Sequence, residues 1–296
     1  MSIRCPHCNS QNPSSDSRAL IIAAGAFTRK IDQSRHQRFR CKPCKKTFST
    51  ASFHPCYRQK KRHLNPQLFE LFVSGVSQRR LGKILKVNRK TIIRKFIFMG
   101  ILAHHYFKMD REQGPRVHEM EFDDLETFEY SKMKPVSVTM ALESGSRRIL
   151  GFRVAQMPAK GLLAKRSLKK YGPRNDERKT KREDLFREIR DFVAPSAVIK
   201  SDENPHYESD VRRFFPQGIH IKFKGRRGCV VGQGELKAGG FDPIFSLNHS
   251  FAMFRANINR LFRRSWNTTK RKDRLALQIA MYSLYHNLHI IHNPSV

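Results

Sequence analysis

Acidic residues are scarce in this chain. It has 25 Asp and Glu against 58 Lys and Arg in 296 residues, which gives a formal net charge of +33 at pH 7. Such a surface repels itself unless a polyanion neutralises it, and neutralising phosphates drives binding through counterion release. The charge balance predicts a nucleic-acid partner. Charge alone leaves a ribosomal or membrane-surface protein open, but no basic amphipathic helix of the membrane-binding type stands out.

Long apolar runs are also lacking. No segment approaches the ~20 apolar residues of a membrane-spanning helix, and Met1 to Asn12 lack the charged-then-apolar pattern of a secretory signal. We therefore expect a cytoplasmic protein, and the positive charge adds an expected association with nucleoid DNA. Hydrophobic residues still make up 39% of the chain, enough for a packed core, and the length suggests about two domains.

Cysteine is rare as well, but four of the six cysteines form two Cys-x-x-Cys pairs. In a chain without an export signal, this pattern favours metal binding over disulfide bonds. Two residues between paired cysteines let one turn present both sulfurs to a single ion, and four thiolates complete tetrahedral zinc. We predict a structural zinc ribbon over residues 1–60, with these ligands: Cys5, Cys8, Cys41 and Cys44.

The following segment predicts a helix-turn-helix over residues 61–105. Ser77 and Asn88 are N-cap candidates for two successive helices, and Pro66–Val73 would precede them. Five apolar positions would form the small core: Leu81, Leu85, Val87, Ile92 and Phe96. The second helix would then present three basic residues to DNA from its N-terminal half: Arg89, Lys90 and Arg94. The alternative is an ordinary basic helical hairpin.

Residues 106–296 predict a mixed α/β domain. Three consecutive strands are indicated, over Val117–Phe128, Pro135–Leu142 and Arg148–Ala155, with Gly145 in a hairpin turn. Helix, strand, helix and strand should follow, and two long helices should close the chain: 185–193, 197–200, 207–215, 219–223, 247–264 and 273–291. Lys160–Arg182 carries ten basic and two acidic residues with little apolar periodicity, so we expect an exposed basic loop.

Two acidic clusters stand out because acids are so few. Glu121-Phe122-Asp123-Asp124 lies within a predicted strand, although acidic residues are poor strand formers. Ser201-Asp202-Glu203-Asn204 directly follows a predicted strand, at the carboxyl end where α/β folds build sites. Two carboxylates brought together can hold two Mg²⁺ ions that polarise a phosphodiester and stabilise the leaving oxygen.

The order of these segments resembles an insertion-sequence transposase of the DDE type over nearly the whole chain. Phe122-Asp123-Asp124-Leu125 resembles the family's first catalytic motif, and Ser201-Asp202 resembles its second. The stretch that begins at Leu247-Asn248 is similar to the third motif. There the family usually has Glu with an Arg seven residues later, and here Asn248 and Arg255 take those places.

The resemblance implies a ribonuclease-H-like mixed sheet flanked by helices, and a Mg²⁺-dependent site formed by Asp123, Asp202 and Asn248. It also implies cleavage of double-stranded DNA at the ends of an insertion sequence, followed by transfer of the freed 3′-OH to target DNA. Synapsis of two ends implies at least a homodimer. Further phosphate contacts are expected from four basic residues: Arg255, Arg263, Arg264 and Lys270.

Asn248 leaves several interpretations open. An amide oxygen can ligate Mg²⁺, but it brings no negative charge and cannot act as a base. Asn248 is therefore the third ligand, or Glu235 or Asp242 replaces it, or the site is inactive and the protein is a DNA-binding repressor. Asn248 is also a candidate N-cap of its helix.

The first ligand is open too. Asp123 and Asp124 point to opposite faces of a strand, so Glu121 or Asp124 is the nearest alternative to Asp123. A third function class, an RNA-binding ribosomal or processing factor, is disfavoured by the acidic strand cluster.

Overall fold

The computed structural model describes residues 3–12, 19–30, 33–224, 242–262 and 267–291. The chain divides into two compact units, Met1–Leu64 and Asn65–Val296. None of the helices in the described ranges is both long and apolar enough to cross a membrane.

The unit Met1–Leu64 contains a three-stranded antiparallel sheet. Its strands are β1 (Ile21–Thr28), β2 (Arg35–Cys41) and β3 (Thr47–Ser49), in that order. The buried core behind the sheet is small and includes two cysteines: Cys5, Ile21, Cys41 and Phe48. So small an apolar core gains little from burial alone, and the cysteines are therefore part of what holds this unit together.

The second unit opens with three helices, which are α1 (Asn65–Val73), α2 (Gln78–Ile84) and α3 (Arg89–Gln113). Both predicted N-caps are confirmed. The Ser77 hydroxyl accepts a hydrogen bond from the backbone N–H of Arg80 at 3.3 Å, and Asn88 Oδ1 accepts one from Lys90 at 2.9 Å. Of the five predicted core residues, Leu85 is half-buried. The other four are buried: Leu81, Val87, Ile92 and Phe96.

Helix α3 is much longer than the sequence suggested. It continues to Gln113, so residues 105 and 106, where the helix-turn-helix was expected to end and the α/β domain to begin, lie inside the helix. The reason is a buried stripe that recurs every three or four residues and packs on a later helix: Met99, Gly100, Ala103, Phe107 and Arg111. Gly100 permits this packing, because a Cβ at that position would lie 2.6 Å from Cβ of Leu277. The three helices therefore belong to one unit with the sheet that follows.

A five-stranded mixed sheet forms the centre of this unit. Its strands are β4 (Val117–Phe128), β5 (Pro135–Glu143), β6 (Ile149–Gln156), β7 (Val193–Asp202) and β8 (Ile219–Phe223). The spatial order is β6-β5-β4-β7-β8, antiparallel among the first three strands and parallel from β4 through β7 to β8. The three predicted consecutive strands are confirmed, and the mixed α/β class is confirmed with them.

Helices cover both faces of the sheet. They are α4 (Leu163–Tyr171), α5 (Arg178–Ile189), α6 (Tyr207–Phe214), α7 (Phe245–Asn257) and α8 (Lys272–Tyr285), the last followed by a π-helical turn over His286–Ile291. On one face, the Phe122 ring packs on Phe186 of α5 and Tyr207 of α6. On the other, the neighbouring Glu121 meets the start of α7. Successive side chains of β4 therefore point to opposite faces of the sheet and contact helices on both.

The expected basic loop over Lys160–Arg182 is wrong, because α4 and the first turns of α5 occupy it. The buried face of α5 begins at Arg182, a cation that carries no apolar signal in the sequence. Its guanidinium donates to Asp210 of α6, with Nε at 2.7 Å from Oδ2, and both side chains are buried. Because a buried cation needs such a partner, only the fold reveals that Arg182 belongs to the core-facing stripe.

Candidate functional site

The register of β4 and β7 places two predicted carboxylates side by side. The strands run parallel with Glu121 opposite Lys200. Continued by two residues, the same register sets Asp123 level with Asp202, on one face of the sheet. Asp202 is the last residue of β7, which leads into α6, whereas Asp123 lies near the middle of β4.

The electrostatics of this carboxylate pair are unfavourable without a cation. Burial, followed by the negative charge of Asp202, raises the pKa of Asp123 from 3.8 to about 7. Burial likewise raises the pKa of Asp202, with a further contribution from the charge of Asp124. Each shift shows that the ionised form is costly here, and a bound divalent cation would remove that cost.

Hydrogen bonds orient one oxygen of each carboxylate. Asp123 Oδ1 accepts the hydroxyl of Tyr207 at 3.0 Å and the backbone N–H of Asp124 at 2.7 Å. Asp202 Oδ1 accepts the backbone N–H of Asn204 at 3.1 Å. Tyr207 is fully buried and begins α6, so helix and strand hold the two acids in a fixed relation.

Glu121 and Asp124, the two alternatives to Asp123, have contacts of their own. Glu121 is buried, with Oε1 accepting the Ser144 hydroxyl at 2.7 Å and Oε2 accepting the backbone N–H of Leu247 at 2.8 Å. Asp124 accepts the hydroxyl of Thr139, its cross-strand neighbour on β5. Glu121 thus uses one oxygen to dock α7 on the sheet and the other to hold the turn that follows β5.

Asn248 lies in the first turn of α7 and is exposed. The helix already begins at Phe245, so the interpretation of Asn248 as its N-cap is wrong. Its side-chain amide donates to Asp242 Oδ2 at 2.9 Å, which brings two of the alternative third ligands together. Among the described residues no hydrogen bond joins this pair to Asp123 and Asp202. The remaining alternative, Glu235, lies outside the described residues.

The four predicted cysteines cluster as a candidate metal site. Their sulfurs lie within 4.8 Å of one another, with Cys5 and Cys44 at 3.7 Å and Cys8 and Cys41 at 3.6 Å. Four sulfurs tetrahedrally bound at ~2.3 Å from an ion are separated by about 3.8 Å, so the geometry fits. Hydrogen bonding to the side chain and backbone of Ser10 lowers the pKa of Cys8 to about 6, which favours the metal-binding thiolate.

In the described part of the chain, no other group of three or more His, Cys, Asp or Glu side chains is as close as the cysteines. Asp123 and Asp202 therefore have no third carboxylate in an equally tight cluster.

The predicted DNA contacts are distributed over both ends of the second unit. Arg89, Lys90 and Arg94 are exposed in the first turns of α3. Arg255 is half-buried on α7, and Lys270 is exposed before α8, with Nζ 4.9 Å from the centre of the Tyr130 ring. Arg263 and Arg264 lie outside the described residues.

Sequence reasoning missed Tyr207 and Asn204. Asn204 had a weak signal, because Asp followed two residues later by a turn residue is typical of an Asp side chain that caps its own loop. Tyr207 had none, since a tyrosine at the start of a helix is ordinary and its contact with Asp123 joins α6 to β4, which are far apart in the sequence.

No protein-family model matches the chain, and no curated protein matches it. The geometry of the site and the arrangement of the elements therefore carry the functional argument.

Proposed function

We propose that this protein is a DDE-type insertion-sequence transposase with a ribonuclease-H-like core, which cleaves DNA at the element ends and transfers the freed strands. The proposal is supported by the parallel register of β4 and β7, which sets Asp123 level with Asp202 when it is continued two residues beyond Glu121 and Lys200. It is also supported by the negative charge of Asp202, which contributes to the raised pKa of Asp123. The mixed sheet with helices on both faces is compatible with this fold class.

The carboxylate pair suits magnesium. Carboxylate and amide oxygens are the ligands of hard divalent cations, and the mutual repulsion of the two acids is relieved by a cation between them. Bound there, the metal supplies Lewis-acid activation of a phosphodiester. The candidate third ligand is Asn248, and Asp242 beside it is the alternative.

The protein's own side chains orient this site. The Tyr207 hydroxyl orients Asp123, and the backbone N–H of Asn204 orients Asp202. Glu121 accepts a hydrogen bond from the first turn of α7 and so holds that turn next to β4. Because the backbone N–H of Leu247 donates that bond, the backbone of Asn248 is held next to β4. Orientation by fixed neighbours reduces the reorganisation needed when DNA and metal enter.

The first 105 residues supply DNA binding in this proposal. The cysteine cluster would hold a structural zinc that stabilises a ribbon. Three exposed basic residues follow the capped start of α3 and would contact the bases or phosphates of the duplex: Arg89, Lys90 and Arg94. Joining two element ends would require at least a homodimer on DNA, and the protein would act on the nucleoid in the cytoplasm.

Cleavage of the DNA that flanks the gene is the direct test. The purified, zinc-loaded protein should nick a plasmid carrying both flanks only when Mg²⁺ or Mn²⁺ is present. The variants D123N and D202N should lose cleavage by at least about a thousandfold, because each replaces a charged carboxylate ligand with a neutral amide that binds the metal more weakly and cannot act as a base. D191N is the matched control, since Asp191 is exposed at the opposite end of β7. Unchanged cleavage in D202A would refute the site.

A catalytically inactive DNA-binding protein is the second candidate. The observation that favours it is Asn248 itself, a neutral and exposed residue whose amide is engaged with Asp242. Metal-independent DNA binding without cleavage, not restored in N248E, would support a repressor over an enzyme.

A further inference from the structure

Six cations line a cleft in the unit Asn65–Val296, between the three-helix segment α1–α3 and the start of α8. The cleft has a volume of about 800 Å³, and the described residues that line it include no carboxylate. We call it the basic cleft, and its cations are Arg79, Arg89, Arg260, Lys270, Arg271 and Arg274. Two of them, Arg89 and Lys270, are DNA contacts predicted from distant parts of the sequence.

Arg260 is the fixed element of the basic cleft. Its Nε donates to Gln278 Oε1 at 2.8 Å, and its guanidinium lies 5.4 Å from the centre of the Phe96 ring. Gln278 is buried and its own amide reaches the carbonyl of Phe72 at 3.4 Å. Burial and the nearby charge of Arg274 lower the pKa of Arg260 to about 10. This cation is thus oriented by neutral partners, which leaves its charge uncompensated by them.

The charge around Arg260 is only weakly compensated. Asp273 is not part of the described lining, and it forms ion pairs with two of the cations, Arg271 at 2.9 Å and Arg274 at 3.7 Å. It is half exposed, so these ion pairs are screened by solvent and easily exchanged for another anion. Several like charges held around one concavity attract a polyanion.

We propose that the basic cleft binds the sugar-phosphate backbone of duplex DNA. This rests on the DNA-binding part of the proposed function and is independent of strand cleavage. The volume far exceeds a single phosphate ion, and planar guanidinium groups suit the paired oxygens of phosphodiesters. Arg79 and Arg89 belong to α2 and α3, Arg260 lies in the turn after α7, and Arg271 and Arg274 lie at the start of α8. The bound backbone therefore spans the three-helix segment α1–α3 and the helices that pack on the sheet.

The salt dependence of DNA binding tests this proposal. The double variant R271Q/R274Q is compared with R187Q/R190Q, which removes two cations that are likewise paired with aspartates but lie outside the cleft. Binding of a short mixed-sequence duplex is measured over a range of salt concentrations. Removing contacts in the cleft should flatten the slope of log K against log salt by about 1 to 2, because each phosphate contact contributes about 0.9. The control should keep the wild-type slope.

Equal slopes in the two double variants would overturn the proposal. Arg79→Gln, an exposed change on α2, provides a second reading should the double variant fold poorly, and its slope should flatten by about 1. Inorganic phosphate at constant ionic strength should not displace the duplex from the wild type. If millimolar phosphate displaces it, the cleft is a site for free phosphate instead.

Two outcomes separate this proposal from the proposed function. D202N should bind DNA with the wild-type salt slope although it does not cleave. Loss of cleavage therefore does not bear on the proposal that the basic cleft binds DNA. A wild-type protein that does not bind duplex DNA would defeat both proposals. Binding without a specific effect of R271Q/R274Q would defeat the cleft alone.

Discussion

At the scale of single residues, Asp123 combines burial with repulsion from a second acid. Tyr207 and the amide of Asp124 hold one of its oxygens, yet its pKa still rises to about 7. Such strain is typical of functional sites, where stability is sacrificed for a pre-arranged set of ligands.

The variant D123N should therefore be more stable than the wild type at pH 8 in zinc-loaded protein without added magnesium. The folded pKa of about 7 exceeds the ordinary 3.8, so folding favours the protonated acid. Its contribution to stability is fully present below about pH 4 and is lost as pH rises through 7. At pH 8 the stabilisation should reach a few kcal/mol and shrink at pH 5.

Urea unfolding at both pH values measures this difference, with D191N as the control. An Asn at position 123 keeps an oxygen that can accept the Tyr207 hydroxyl, so packing is preserved. A D123N protein less stable than the wild type at pH 8 would show that Asp123 is a satisfied structural acid.

At the scale of elements, β4 organises the site through alternate side chains. Phe122 anchors α5 and α6 on one face, whereas Glu121 receives the first turn of α7 on the other. The helix that carries Asn248 is therefore positioned by a buried carboxylate two residues before Asp123. Loss of this carboxylate should act on the site through α7.

The variant E121A should lower the free energy of unfolding by about 2 to 4 kcal/mol, because it leaves the Ser144 hydroxyl and the Leu247 amide unsatisfied. E126A, on the same strand, is the matched control. Glu126 forms an exposed ion pair with Lys160, so its loss should cost less than about 1 kcal/mol. Equal unfolding energies for the two variants would mean that Glu121 does not dock α7.

The same elements show how far the sequence could predict the fold. Strands β4 to β6 were found because their alternation is strong and Gly145 marks the hairpin turn. Helix α3 was predicted too short, because its second half is stabilised by packing on α8, where Gly100 meets Leu277. The start of α5 was missed because its buried face includes the cation Arg182.

The candidate site likewise contains residues that the sequence predicted and residues that it did not. The carboxylates Asp123 and Asp202 were predicted from motif order, and the parallel register of β4 and β7 brings them level. Tyr207 was not predicted, because its contact depends on how α6 crosses the strand ends. The six cations of the basic cleft are spread over three segments of chain, so no local pattern reveals that they face one space.

At the scale of the whole molecule, two features act over long distances. The net charge of +33 predicts strong, salt-sensitive attraction to nucleic acid. The cysteine cluster joins the loop at Cys5 and Cys8 to the hairpin at Cys41 and Cys44 within the first unit. Metal binding to such a site is coupled to folding, since the four thiolates are not assembled in the unfolded chain.

The variant C8S should lose the single equivalent of tightly bound zinc and with it the protease resistance of residues 1–64. C56S, a change outside the two pairs, should keep both. Zinc content by mass spectrometry and limited proteolysis measure the two effects. Full zinc content in C8S would contradict the four-cysteine site. Cleavage within the unit Asn65–Val296 would contradict the expectation that zinc stabilises only the unit Met1–Leu64.

The central claim is that Asp123 and Asp202 jointly hold the divalent cation that cleaves DNA. Titration of Mn²⁺ into the zinc-loaded protein, followed by the electron paramagnetic resonance of free Mn²⁺, tests this most directly. The affinity for Mn²⁺ should fall at least about tenfold in D123N and equally in D202N, because each loses the negative charge of a ligand, and D191N should bind as the wild type does. Wild-type Mn²⁺ binding in either D123N or D202N would contradict a shared metal site.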